Sequence, residues 1–267
     1  MTNNGAGYTT CANLVSAVSH YLPQLRGHFP VASRALKGWR ILVPPKPHPP
    51  LTWELCCCIA VELARRGLVK YAVGVLLSFD CLLRVSELME LRASDVILTG
   101  DLRAGAVPAD AKLNRTGFTG VAIRIRHAKT GVNQFVTVMN PDVAQLLALL
   151  VRGLHDEDYL LPCAAKDRAA NFRCYFKAVV AKLQLDPRFV PHSCRHGKAT
   201  ELKLRGWTVA DIAERGRWRS FASCVHYLQQ GRALLLATQA PSKLRSAGLL
   251  FSKDVRSALA LAQKTAG

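Results

Sequence analysis

The sequence is short of acidic residues: its 267 positions hold 18 Asp and Glu against 36 Lys and Arg, a formal net charge of +18. It also has no run of about 18 apolar residues, so no membrane-spanning helix is expected. The opening MTNNGAGYTT lacks the basic stretch and apolar core of a secretory signal, and an intracellular setting is expected. No C-x-x-C pair occurs, and the spacing of Cys174, His192, Cys194 and His196 fits no familiar zinc pattern. No carboxylate cluster suited to Mg²⁺ is evident either, so neither a metal nor a cofactor is expected. The nine cysteines are odd in number, and Cys56, Cys57 and Cys58 are adjacent, which suits a buried helix in a reducing compartment better than a disulfide ladder. There is no internal repeat, and the one low-complexity tract is rich in proline.

Half of the residues are hydrophobic, enough to bury a core, which excludes a mainly disordered chain. A two-to-one basic excess in a folded chain favours a polyanion as partner, nucleic acid first. Charge alone does not separate an enzyme from a passive binder.

Helical spacing runs through residues 13–40 around Leu14, Val18, Tyr21, Leu22 and Leu25, interrupted by Pro23 and Pro30. The tract VPPKPHPP (43–50) then places five prolines in eight residues. Proline fixes φ and lacks an N–H, so this is an extended linker and a domain boundary. Thr52 is placed to cap a helix through WELCCCIAVELARR to Gly67, and a second helix follows over 68–83. Ser86 is the expected cap of a short helix over 87–92. VAIRIR (121–126) alternates, with Arg124 and Arg126 opposite Val121, Ile123 and Ile125, and QFVTV (134–138) is also β-rich, so the pair reads as a hairpin with a long tip. Residues 99–120 read as loop with at most a short strand. Helices return behind Asn140–Pro141, at 167–184, 199–206, 208–216 behind Thr208, 220–231 and 252–264. The expected fold is mainly α with a small antiparallel β-sheet.

Several polar residues are hard to dismiss together: Arg84 between two helices, Lys129 at the hairpin tip, His192 and Arg195 in H-S-C-R, and Tyr227 in the helical segment before Gly231. Phosphoryl transfer uses such a set. Arginine forks match non-bridging phosphate oxygens, and a tyrosine hydroxyl can form a covalent phosphoenzyme. Its ordinary pKa of about 10 demands a base or a positive field, and a lysine can protonate a departing oxygen.

CLLRVSELMELRASDV (81–96) resembles the first arginine motif of the tyrosine recombinases, the phage-integrase type. HAKTGVNQFVTV (127–138) resembles their lysine hairpin, and residues 191–228 resemble their closing block. Trp218 follows Arg195 by 23 positions and Tyr227 follows Trp218 by nine, both similar to the family pattern. R-x-x-E and K-T-G are weak signals alone, while the closing block is specific. The resemblance, over about 52–231, implies a catalytic-domain fold and the cutting and rejoining of double-stranded DNA by a homo-oligomer, a tetramer on DNA. Tyr227 would be the nucleophile and form a 3′-phosphotyrosine. Arg84 and Arg195 would clamp the phosphate, Lys129 would be the general acid, and His192 would assist proton transfer. Trp218 would support the transition state, and Glu87 would orient Arg84. Arg124, Arg126, Lys198, Lys203, Arg217 and Arg219 are candidates for the DNA backbone, while His196 and His226 read as bystanders.

On this reading residues 1–42 are a short helical arm or part of a core-binding domain, 43–51 the linker, 52–231 the catalytic domain and 232–267 a tail with a helix. The setting PPLTWELCCCIA is similar to recombinases of eukaryotic mobile elements. A type IB topoisomerase-like enzyme and a domesticated DNA-binding protein that no longer cuts are the alternatives. The DNA-associated location is the nucleus in a eukaryote and the nucleoid or cytoplasm in a prokaryote or phage.

Overall fold

The computed structural model describes residues 7–43, 48–98, 120–128, 131–162 and 168–265. It is mostly helical with one three-stranded antiparallel sheet. The chain divides into two compact units, Met1–Pro47 and His48–Gly267. Among the described residues no helix is long and apolar enough to cross a membrane.

The first unit holds α1 (Tyr8–Tyr21) and α2 (Pro30–Leu42), separated by a 3₁₀ turn at Pro23–Leu25. Pro23 and Pro30 each open an element, where a missing N–H costs nothing. The Tyr8 and Trp39 rings meet edge to face at 6.0 Å. Neither helix buries a residue.

The second unit is built on α3 (Trp53–Arg65) and α4 (Val69–Asp80), which pack together with Cys56, Cys57, Ile59, Leu63, Val75, Leu76 and Phe79 in the main core. The Thr52 hydroxyl caps α3 at the Leu55 N–H, and Gly67 ends the turn with φ 72°, in the left-handed region that suits glycine. Burial pushes the thiols of Cys56, Cys57 and Cys58 up, so all three stay protonated and serve as small apolar packing groups.

Beyond α4, Leu82 takes a left-handed conformation (φ 51°) and turns the chain into α5 (Val85–Glu90). The cap of α5 is Arg84, not Ser86: the Arg84 N–H donates to the Glu87 carboxylate at 2.8 Å. The sheet follows as β1 (Val96–Leu98), β2 (Val121–Ala128) and β3 (Gly131–Thr137), in that order. Pairing runs from Ala122↔Thr137 to Ala128↔Gly131, so both strands extend past VAIRIR and QFVTV into the segment expected as a long tip. Ile123 and Ile125 face the core while Arg124 and Arg126 point away from it, as their alternation requires. β1 carries no alternation signal in three residues and exists because Val96 pairs with Ile123. The rest of the expected loop over 99–120, apart from Gly120, lies outside the described residues.

The helices α6 (Pro141–Arg152) and α7 (Arg168–Lys182) close the main core through Leu147, Phe172 and Phe176. Next come α8 (His192–Leu204), α9 (Val209–Gly216), α10 (Phe221–Val225) and α11 (Gln230–Gln239). The last two, α12 (Ser242–Phe251) and α13 (Val255–Lys264), lie on α3. Val255, Leu259 and Ala262 of α13 are buried in the core, and the Val255 N–H donates to Asp142 at 2.9 Å.

Candidate active site

A second, smaller core of Leu82, Ala199, Leu202, Ile212, Ala213 and Cys224 supports Trp218 and Tyr227. Helix α8 supplies most of what surrounds that tyrosine. His192, His196 and Thr200 stand four residues apart and therefore share one face of the helix. All three touch Tyr227. Its hydroxyl lies 3.1 Å from His192 Nε2, and its ring stacks on the His196 ring at 4.2 Å and 21°. The Thr200 hydroxyl donates to its carbonyl at 3.0 Å. Three contacts from one rigid helix thus hold the tyrosine at its hydroxyl, its ring and its backbone.

Burial, the Arg195 charge, and then His48 and Arg84 lower the His192 pKa to about 4. The imidazole is therefore neutral at pH 7 and has one ring nitrogen free to accept a proton. The same effects, with burial leading and His192 and His48 next, lower His196 to about 3.

Arg195 is fully buried. Its two terminal nitrogens donate to the carbonyls of Leu82 and Gly216, while its Nε has no hydrogen-bond partner among the described residues. Its Cζ lies 4.2 Å from the Trp218 ring and 5.8 Å from the Tyr227 ring. Gly216 makes this possible: a Cβ there would overlap the Trp218 indole. Burial, reinforced by Arg84 and Arg217, lowers the Arg195 pKa. Glu87 opposes that lowering, because its negative charge favours the cationic guanidinium.

Glu87 is the carboxylate set among these arginines. It accepts from Arg84 Nη1 at 2.5 Å and from Arg217 Nη2 at 2.8 Å. Burial alone would raise its pKa, but Arg217 and Arg84 together hold it below the ordinary value. One carboxylate therefore faces Arg84 and Arg217, and its charge also favours the cationic form of Arg195.

The structure brings Arg84, Glu87, His192, Arg195, Trp218 and Tyr227 into one region. Lys129 lies outside the described residues. Two of the DNA-backbone candidates are placed differently from the expectation. Lys198 is buried, with Nζ 3.4 Å from Asp80 and 3.4 Å from Glu201. Arg217 is buried on Glu87 and the Cys81 and Leu82 carbonyls. Both charges are met within the protein, as a buried cation requires. Arg124 and Arg126 both donate to the buried Asp95, at 3.1 and 2.7 Å, but are partly exposed. Lys203 is half-buried and Arg219 exposed.

Sequence reasoning set His196 aside and did not single out Thr200 or Gln229. The first two carried a usable signal, spacings of four and eight residues from His192. Gln229 carried none. Among the described residues no group of three or more His, Cys, Asp or Glu is arranged to hold a metal.

Comparison with solved structures finds, among others, the crystal structure of XerA recombinase. It is 20% identical at a TM-score of 0.49, and the match covers 75% of this chain and 67% of that one. No curated protein matches. The model of the phage integrase family matches residues 64–232, well over half of the chain and spanning Arg84 to Tyr227. This chain, with its buried arginines gathered beside a histidine-bound tyrosine, belongs to the phage integrase family.

Proposed function

We propose that this protein cuts and rejoins double-stranded DNA through a 3′-phosphotyrosine on Tyr227, and that it does so in site-specific recombination or integration. The observation that carries the reading is the Tyr227 hydroxyl, 3.1 Å from a neutral His192 in a field of three arginines. The Tyr227 oxygen attacks the scissile phosphorus, and its proton passes toward His192 Nε2. The P–O5′ bond breaks, and the departing oxygen takes a proton from Lys129, a role carried over from the family motif. Arg84 and Arg195 stabilise the extra negative charge on the non-bridging oxygens. Trp218 packs on Arg195 and, lacking an exchangeable proton at neutral pH, contributes contact and one N–H. Arg195 is fully buried, with the Trp218 ring 4.2 Å and the Tyr227 ring 5.8 Å from its Cζ. Assembly as a tetramer on DNA belongs to the same proposal.

The test uses a nicked suicide duplex from which the 5′ fragment escapes. A covalent protein–DNA adduct should form in EDTA, and mass spectrometry should map it to Tyr227. Tyr227→Phe should give no adduct. Persistence of the adduct in that variant would overturn the nucleophile assignment. Recombined junctions among the products would separate a recombinase from an enzyme that only relaxes supercoils.

A further inference from the structure

The contacts of Gln229 and His196 go beyond the family's catalytic motif. The Gln229 amide is fixed by its neighbours. Its Nε2 donates to the His48 carbonyl at 3.0 Å, and its Oε1 accepts from Arg232 Nη1 at 3.0 Å. A carbonyl only accepts and a guanidinium only donates, so the amide has one possible orientation. The second hydrogen on Nε2 is then directed at His196 Nδ1, also 3.0 Å away. His196 Nδ1 must therefore be an acceptor, which places the ring proton on Nε2 and sets the neutral tautomer. That ring, oriented in its own plane by Gln229, is the one stacked on Tyr227. Thr200 joins the same unit: its hydroxyl donates to the Tyr227 carbonyl and accepts from the Gln229 N–H at 3.2 Å.

We infer that His196 and Gln229 are positioning residues for the Tyr227 nucleophile. His196 sets the plane of the tyrosine ring, and Gln229 locks His196 while tying it to the His48 backbone. The hydroxyl of a tyrosine sits at the end of a long lever, so a small tilt of the ring displaces the attacking oxygen from its line with phosphorus. A histidine bond to the hydroxyl fixes one point only. The stacked ring fixes the remaining rotation. His196 itself exchanges no proton with substrate in this account, and its contribution is geometric.

The inference rests on Tyr227 being the nucleophile, so wild-type adduct formation is scored first. Absence of a Tyr227 adduct in the wild type would sink the proposed function, not this inference alone. Given that adduct, single-turnover cleavage of the suicide duplex is measured for His196→Ala, His196→Phe and Gln229→Leu, with DNA affinity and melting temperature alongside. Misplacement of a reacting atom by about 1 Å costs up to about 100-fold, and His196→Ala should slow cleavage by about 10- to 100-fold with little change in DNA affinity. His196→Phe keeps a flat ring and should restore most of the rate lost in His196→Ala. Gln229→Leu keeps the ring and loses the lock, as His196→Phe also does, so it should slow cleavage about as much as His196→Phe, with the pH–rate profile unmoved because no titrating group is removed from the reaction. Cleavage by His196→Ala at the wild-type rate would overturn the inference. So would His196→Phe remaining as slow as His196→Ala while melting like the wild type. If His196→Ala does not fold, Gln229→Leu at the wild-type rate would overturn it as well.

Discussion

Basic side chains gather in two regions of the second unit and are held in different ways. Around Tyr227, Arg195 and Arg217 are buried, and Glu87 is the carboxylate between Arg217 and Arg84. On the sheet, Arg124 and Arg126 share Asp95 but keep about a third of their side-chain surface in solvent. The first arrangement is oriented by the protein before any ligand arrives, because every buried guanidinium is tied to backbone carbonyls or Glu87. The second is partly open to solvent and is screened by salt. Buried guanidiniums are held in one orientation by their partners, whereas the partly exposed ones keep their freedom to adjust.

Glu87→Gln should break the first region most severely. Removing the carboxylate leaves Arg84 and Arg217 without their charge partner, a loss of about 3–5 kcal/mol by the usual cost of breaking a buried pair. Urea unfolding checks this, and a midpoint equal to the wild type would show that Glu87 does not balance those arginines. Arg195→Ala should follow, with covalent-adduct formation slowed about 10²–10³-fold, the range for losing one preorganised donor. DNA affinity should change far less, as a gel-shift titration would reveal. Gly216→Ala places a methyl group into the Trp218 ring and should destabilise by about 1–3 kcal/mol through overpacking. A melting scan reads that directly.

Acidification provides a milder probe. His192 and His196 are held at about 4 and about 3, below the ordinary 6.5. Between those values the unfolded chain binds more protons than the folded one, so stability should rise with pH up to about 6.5 and level off above it. Each histidine contributes at most about 1.4 kcal/mol per pH unit. Melting temperatures between pH 4 and 8 would show the slope, and His196→Phe should make it shallower. The smallest effect belongs to the sheet. Arg124→Ala should weaken DNA binding evenly across sequences and reduce the salt slope by about one unit, with adduct chemistry on bound DNA intact. If it slowed cleavage as much as Arg195→Ala, the contrast between the two regions would collapse.

Much of this was readable from residue order. Thr52, Asn140 and Thr208 cap the helices they precede, since capping is decided within four residues. The alternation in VAIRIR specifies a strand with one buried face, and the H-x-x-R, Trp and Tyr spacings point to one site. Other features were not readable. Ser86 looked like a cap, yet Arg84 holds that position because Glu87 reaches back to its N–H. Lys198 and Arg217 looked like the DNA candidates around them, and nothing in their own neighbourhoods announces Asp80, 118 positions away, or Glu87, 130 positions away.

Residue order alone determined most of the helices, the two hairpin strands, the basic excess and the set of chemical groups, since each depends on neighbours a few positions apart or on a count. Tertiary structure decided which cations are buried and which are exposed, that His196 stacks on Tyr227, and that Gln229 bonds its Nδ1. Those outcomes depend on what desolvates or pairs with a group, and such partners come from distant parts of the chain that meet only once the core has formed.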